Sequence, residues 1–292
     1  MKNFIGDNCF VIAEMGASHH QDFLTACDIV DAAVFAGADA VKVQMFKPDS
    51  LTAQSNEDMF VLQDGPWAGQ TLWELYEKAY MPYEWVPALK ERAEKAGLKF
   101  IASIYDVKTV AVAETMAVKA YKVSSYEAAE EDLLKRLGET QKPVFVSTGN
   151  LDWKQIRAVT QHIQKLALLK CTSRYPAPLD QMNLRTLLDM KRTFTPYVGL
   201  SDHTTGTVAA VMAVGMGARI IEKHIKIDNE GLDSSFAIMP EQFGAMVKIV
   251  RAAENSIGKV FYGGKSQIKR AVINGKSVRI VEKDHETADN KL

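Results

Sequence analysis

Eight times between residues 10 and 255, a short apolar run is followed by a longer segment of helical period. The runs are FVIAEMG (10–16), AVKVQM (40–45), KFIASI (99–104), AYKVSS (120–125), PVFVST (143–148), LALLKCT (166–172), YVGLSD (197–202) and RIIEKHI (219–225). Their aliphatic and β-branched character suits strands covered on both faces. In the intervening TACDIVDAAVFAGAD, Ala26, Ile29, Val30, Ala33 and Val34 recur at helical spacing before Gly37. That pattern predicts a helix closed by a left-handed glycine, and similar helices are predicted to end at Gly97, Gly138 and Gly217. Strict alternation of strand and helix requires parallel strands with right-handed crossovers. Eight repeats close into an α/β fold of the (β/α)8 (TIM) barrel type, here with a short C-terminal extension. A doubly wound open sheet is the competing arrangement. It is disfavoured because no strand is followed by GxGxxG, and because polar residues cluster after nearly every strand rather than at one switch point.

A chain of 292 residues exceeds the usual single core, yet barrels of about 250 residues form one domain. The predicted barrel domain therefore spans 1–256. Residues 257–292 are basic, glycine-bearing and only weakly strand-like, and are expected to form a tail with no core of its own. The connection 46–82 is too long for a simple loop and carries Trp67, Trp73, Tyr76 and Tyr80. It is expected either to cover the barrel mouth or to form an extra packing layer or subunit contact.

Basic residues number 35 and acidic residues 36, which leaves no basic field for nucleic acid. No apolar stretch approaches the roughly 18 residues of a membrane span, and Asp7 is reached without a secretory apolar region, so the expected location is cytoplasmic. Cys9, Cys27 and Cys171 are odd in number and lack CxxC spacing. Reduced, buried thiols are expected rather than a disulfide framework or a structural zinc site.

In such a barrel, chemistry sits at the C-terminal ends of the strands. There the sequence places Glu14; Lys42 and Gln44; Ser103 and Asp106; Lys122, Ser125 and Glu127; Ser147 and Thr148; Thr172, Ser173 and Tyr175; Ser201, Asp202 and His203; and Glu222, Lys223 and His224. Taken singly, a strand lysine is an interior ion-pair partner and a histidine a hydrogen-bonded core residue. Together, two lysines and several hydroxyls at one mouth form a site for a small phosphorylated or carboxylated anion. His203 and His224 lie on neighbouring strands, ~4.8 Å apart. That spacing suits one metal ion with open coordination positions; the alternative is two imidazoles donating to carboxylates such as Asp202 and Glu222.

The segments IAEMGASHH, AGADAVKVQMFKPDSL, AYKVSSYE, KPVFVSTGN, LLKCTSRYPAP with NLRTL, GLSDHTTG, IEKHIKID and GLDSSFAIMPEQF follow one another in unbroken order over about residues 10–260. In that order they resemble the sialic acid synthases, which make nine-carbon nonulosonic acids from phosphoenolpyruvate and an N-acylated amino sugar. The resemblance implies a phosphoenolpyruvate-dependent, C–C bond-forming transferase that consumes water and releases phosphate. Within the family, GQTLWELYEKAYMPYEW and GLDSSF look more like pseudaminic acid synthases than N-acetylneuraminate synthases. Position by position, the resemblance implies His203 and His224 as ligands of a divalent metal, manganese with magnesium as substitute. It places Lys42, Ser103, Lys122, Ser125, Ser147, Ser173 and Ser201 around phosphoenolpyruvate. Glu14, Gln44 and Tyr175 face the sugar, and Glu127 matches an acidic position near the site.

The sequence departs from the family at Ser103 and Ser173, which stand where many relatives have Thr and Asn, and in two longer segments. SHHQ (18–21) replaces Asn-His-Asn-Gly, which changes the groups presented to the sugar. Full-length relatives carry a C-terminal antifreeze-like domain that supplies a sugar-binding Arg to a partner's barrel. KRAVINGKSVRIVEKD resembles only the linker and opening of that domain, and leaves Arg270 and Arg279 without an assigned role. The resemblance therefore implies a homodimer, or a separate protein that supplies the missing part. Two other readings compete: a Schiff-base aldolase using Lys122 or Lys223, and a sugar-binding barrel without turnover.

Overall fold

The computed structural model describes residues 1–262 and 268–281. Eight parallel strands close into a barrel: β1 (Phe10–Glu14), β2 (Ala40–Met45), β3 (Lys99–Ile104), β4 (Tyr121–Val123), β5 (Val144–Ser147), β6 (Leu166–Cys171), β7 (Val198–Asp202) and β8 (Ile220–His224). Closure is set by β1, which pairs with β2 on one side and with β8 on the other. Helices separate successive strands, as the alternation predicts. Among the described residues, no helix is long and apolar enough to cross a membrane.

Three of the four predicted helix ends fall where the glycines do: Gly37, Gly97 and Gly217 have φ of 73°, 88° and 85°. Gly138 does not end its helix. It lies inside Glu131–Glu139, where a Cβ would stand 2.1 Å from the carbonyl oxygen of His162. Its small size serves a close approach of chain segments, and Gln141, with φ 56°, makes the left-handed turn instead.

Side chains alternate along each strand, and this sorts the apolar residues into two sets. Val11, Ala13, Val41, Val43, Ala102, Ile104, Val144, Val146, Leu168 and Leu200 join the core packed with helix residues such as Ile29, Val30, Leu89, Leu134 and Phe243. Phe10, Ile12, Ala40, Ile101, Ala120, Phe145, Ala167, Leu169 and Ile220 form the second cluster, with Ile5. The short helix Lys2–Ile5 adds Phe4, whose ring lies 5.7 Å from that of Phe10 and 6.0 Å from that of Phe145. An aromatic plug therefore closes the N-terminal end of the barrel.

The long connection is itself structured, with helices Pro48–Leu51 and Leu72–Ala79. A bridge between Val61 and Thr71 folds residues 62–70 into a projecting loop. The second helix starts at a capping box, Thr71 with Glu74, that satisfies two otherwise orphaned N–H groups.

Residues Met1–Ile257 and Gly258–Leu292 form two compact units. The described part of the second is more regular than the sequence suggested: β9 (Ile268–Ile273) and β10 (Lys276–Val281) make an antiparallel hairpin. Asn274 and Gly275 turn it with φ of 50° and 74°, the two positive values of a type I′ turn. Every described residue of the hairpin is exposed or half-buried. Residues 263–267 and 282–292 of the predicted tail lie outside the described residues.

Candidate active site

Moving from the plug toward the opposite end, the inward positions change from apolar to ionic. Glu14, Lys42, Ser103, Lys122, Ser147, Ser201, Glu222 and His224 are all buried. At their centre, Lys42 Nζ stands 2.8 Å from Glu14 Oε2 and 3.7 Å from Glu222 Oε1, and donates to Ser103 Oγ at 2.8 Å. Lys122 Nζ is 3.9 Å from the same Glu222 oxygen and donates to the carbonyl of Val123. Ser201 Oγ donates to Glu222 Oε1 at 3.1 Å, and Gln44 Nε2 to Glu14 Oε1 at 2.7 Å.

The two lysines are not equivalent. Burial disfavours both ammonium groups, but Glu14 and Glu222 outweigh it at Lys42 and hold its pKa above the usual value. At Lys122 burial wins, and the pKa is lowered. Glu222 is buried too, yet Lys122 and Lys42 hold its carboxyl well below the usual range. Two lysines and two carboxylates thus balance one another at the mouth.

The hydroxyls predicted for an anion are close by. Ser125 Oγ accepts from the backbone N–H of Gly149 at 2.9 Å. A Cβ on Gly149 would fall 2.4 Å from Ser173 Oγ and 2.9 Å from Ser125 Oγ, so only glycine fits between these hydroxyls. Ser147 Oγ is buried with no hydrogen-bond partner. Glu127 is less central: it opens the turn Glu127–Ala129 and binds the hydroxyl of Ser124, while burial raises its pKa.

The two histidine rings meet edge to face, with centroids 5.4 Å apart and planes at 62°. His203 Nδ1 lies 3.1 Å from the carbonyl oxygen of Thr172, and His224 Nδ1 lies 2.8 Å from Asp233 Oδ2. Each ring therefore spends Nδ1–H on an oxygen, which leaves Nε2 as the nitrogen with a lone pair to offer. A carbonyl or carboxylate behind the imidazole is the usual support of a metal-ligating histidine. Among the described residues no group of three or more His, Cys, Asp or Glu is placed to hold a metal, so two histidines would leave the other positions to water and substrate.

The carboxylate alternative holds in part, with a different partner. His224 does meet a carboxylate, but it is Asp233, not Asp202 or Glu222. Asp233 also accepts from Ala17 N–H at 3.0 Å; burial works against its charge, and His224 outweighs it and lowers the pKa. Gly16 passes so close that a Cβ there would lie 1.9 Å from Asp233 Oδ2. Asp202 and Lys223 point to the other side of their strands and pair with each other at 3.0 Å. That removes Lys223 as a Schiff-base nucleophile, since its Nζ also donates to the carbonyl of Thr204 at 2.6 Å.

The sequence offers Glu222 only as a possible histidine partner and Trp67 only as part of the connection that could cover the mouth, and it assigns no role to Asp233 or Phe236. Trp67, from the projecting loop, donates its indole N–H to the carbonyl of Leu232 and packs on Tyr175 and Phe236. Tyr175 lies 4.4 Å from the His203 ring and Phe236 4.8 Å from the His224 ring. The long connection thus reaches the mouth and completes an aromatic wall beside the histidines. The SHHQ segment braces the rim: His20 pairs with Asp228, and Gln21 donates to the carbonyls of Glu77 and Tyr80.

A family model described as the NeuB family matches residues 29–262. The chain belongs to the NeuB family. It is 39% identical over 256 residues to the pseudaminic acid synthase of Campylobacter jejuni, covering 85% of this chain and 75% of that protein. It is 33% identical to the pseudaminic acid synthase of Helicobacter pylori, with the same coverage. The N,N'-diacetyllegionaminic acid synthase of Legionella pneumophila is 32% identical, over 86% of this chain and 73% of its own. Among solved structures, the sialic acid synthetase of Leptospira borgpetersenii superposes with a TM-score of 0.80 at 24% identity, covering 89% of this chain and 88% of that one. This last likeness concerns the NeuB-family fold.

Proposed function

We propose that the chain condenses phosphoenolpyruvate with an N-acylated amino-sugar aldose and water, forming a nonulosonic acid and phosphate, with a pseudaminic-type diacetamido-trideoxy hexose as acceptor. The carrying observation is the mouth itself: two buried lysines, balanced by two carboxylates, lie beside two histidines whose Nε2 atoms are left to a ligand. The pseudaminic acceptor is supported by the relatives from Campylobacter jejuni and Helicobacter pylori.

The donor set fits a divalent cation. Because Glu14 and Glu222 already balance Lys42 and Lys122, a bound polyanion adds negative charge that the lysines alone do not offset. His203 and His224 would hold the ion, manganese or magnesium. It would supply Lewis-acid polarisation of the acceptor's aldehyde oxygen.

The chain's own side chains do the rest. Lys42 and Lys122 bind the phosphate and carboxylate of phosphoenolpyruvate, with hydrogen bonds from Ser103, Ser125, Ser147, Ser173 and Ser201. Glu14, Gln44 and Tyr175 face the sugar and hold its aldehyde carbon against the enol carbon. A C–C bond forms between these carbons, and water adds to the electron-poor pyruvyl carbon. The tetrahedral centre then collapses, and the C–O bond to phosphate breaks with its electron pair leaving on phosphate. Of the two water protons, Glu14 takes one and passes it to the new sugar hydroxyl; the other leaves with phosphate. Glu127 stands beside the site with its carboxyl oxygen accepting from the Ser124 hydroxyl. The hairpin we read as the opening of an antifreeze-like segment.

Phosphate release from phosphoenolpyruvate, measured with manganese and with N-acetylmannosamine or the diacetamido-trideoxy hexoses in parallel, tests the reading. Release is expected with a trideoxy hexose, and His203→Ala or His224→Ala should lower it more than about a hundredfold. Full turnover in folded, metal-loaded histidine variants would overturn the reading. Release with N-acetylmannosamine alone would make the chain an N-acetylneuraminate synthase. Binding of all ligands without release would make it a sugar-binding barrel.

A further inference from the structure

Each candidate metal histidine directly follows one member of a buried ion pair: Asp202 precedes His203, and Lys223 precedes His224. Strand alternation turns the histidines into the mouth and the ion pair to the back of the same two strands. Asp202 and Lys223 stand opposite each other in the β7–β8 register, and both side chains are fully buried. The pair also captures the turn that follows His203. Lys223 Nζ donates to the carbonyl of Thr204, and Thr204 N–H donates to Asp202 Oδ1 at 2.9 Å. Ala177 N–H closes the other side by donating to the carbonyl of His203 at 2.9 Å. The backbone of His203 is thus held on both flanks, and the main tie on one flank is anchored in the residue next to His224.

We propose that Asp202 and Lys223 are positioning residues, a charged clamp behind the strands that sets the separation and aim of the two imidazoles; this rests on the metal assignment above. A buried ion pair is weak evidence for stability, because desolvation offsets its attraction and an apolar pair of similar volume often replaces it without loss. What an apolar pair does not reproduce is the simultaneous hold on Thr204 N–H and Thr204 C=O. Relaxation of that turn would let the His203 ring drift while His224 stays on Asp233. Supporting residues of this kind change metal affinity without touching the ion.

The test uses Asp202→Asn and the double variant Asp202→Leu/Lys223→Met in the full chain. The double variant removes both charges, so it guards against loss of fold from one unpaired buried charge. Mn2+ affinity is read by electron paramagnetic resonance, phosphoenolpyruvate affinity without metal by calorimetry, and the histidine ring resonances by NMR in metal-free protein. Mn2+ binding is expected to weaken about 10- to 100-fold in the double variant, with phosphoenolpyruvate binding within about threefold of the parent. The ring resonances of His203 and His224 should move while that of His162 stays in place. A folded double variant with parental Mn2+ affinity and unmoved His203 and His224 resonances would overturn the proposal and leave the pair a packing element. Moved resonances in a chain whose parent binds no divalent ion would support the clamp and overturn the metal assignment alone.

Discussion

The two ends of the barrel interior are built on the same strands, two residues apart, and obey opposite rules. On β1, Phe10 and Ile12 lead to Glu14; on β3, Ile101 leads to Ser103; on β5, Phe145 leads to Ser147; on β8, Ile220 leads to Glu222 and His224. At the plugged end the inward cluster is apolar, with Lys99 over the Phe4 ring and Arg219 Nε, beside Gly6, a buried polar atom without a partner. At the mouth, charges are just as buried but hold one another imperfectly, with Lys122 3.9 Å from its nearest carboxylate oxygen and Ser147 Oγ without a partner. One end gains stability from shape; the other holds polar groups whose partners a ligand completes. The difference locates function without reference to any relative.

Three measurements can break or sharpen that contrast. The largest effect on stability is expected from Phe145→Ala in the plug, about 3–5 kcal/mol by thermal or denaturant unfolding. Phosphoenolpyruvate affinity should be unchanged in the folded fraction; a large loss there would show that the two ends are not independent. Next, Lys42→Met at the mouth should cut phosphate release about 10²- to 10³-fold, and a smaller loss than from an exposed lysine such as Lys95 would remove Lys42 from the anion site. The third measurement probes the rim, where His19 is buried with Nε2 unpartnered and burial pushes its pKa down to about 4. Between the unfolded value near 6.5 and that folded value, the unfolded chain binds the extra proton, so stability falls as pH drops through this window. The loss amounts to about 3 kcal/mol by pH 4. His19→Asn keeps an acceptor for Gln21 N–H, now given by His19 Nδ1, and should flatten the pH dependence between those limits.

All eight strands were legible because each is a short aliphatic run that needs no distant information. Glu14, Lys42, Lys122 and both histidines could be read from their place at strand ends. Glu222 and Lys223 were visible in the same run, but the sequence could not say which faced the mouth; the strand phase decided it, and the charged neighbours then found different partners. Asp233 and Phe236 carried no signal of their roles, since these lie in contacts with residues far along the chain; Trp67 was visible only as one aromatic of a long connection. Gly138 misled because a glycine near a helix end has two uses, and the close approach to His162 is invisible without the neighbouring segment. The hairpin carries its own local signal: Asn274-Gly275 between two alternating stretches is a turn by its own chemistry.

The plug of Phe4, Phe10 and Phe145 has a consequence for traffic. A barrel stopped at one end is a blind well, so reactants and products share one opening. A molecule seated against Lys42 and Lys122 lies beneath one seated along Tyr175 and the histidines, and the upper occupant blocks the lower. With the lysines as the phosphoenolpyruvate site proposed above, phosphoenolpyruvate enters before the sugar, and the queue is written into the architecture before any chemistry begins.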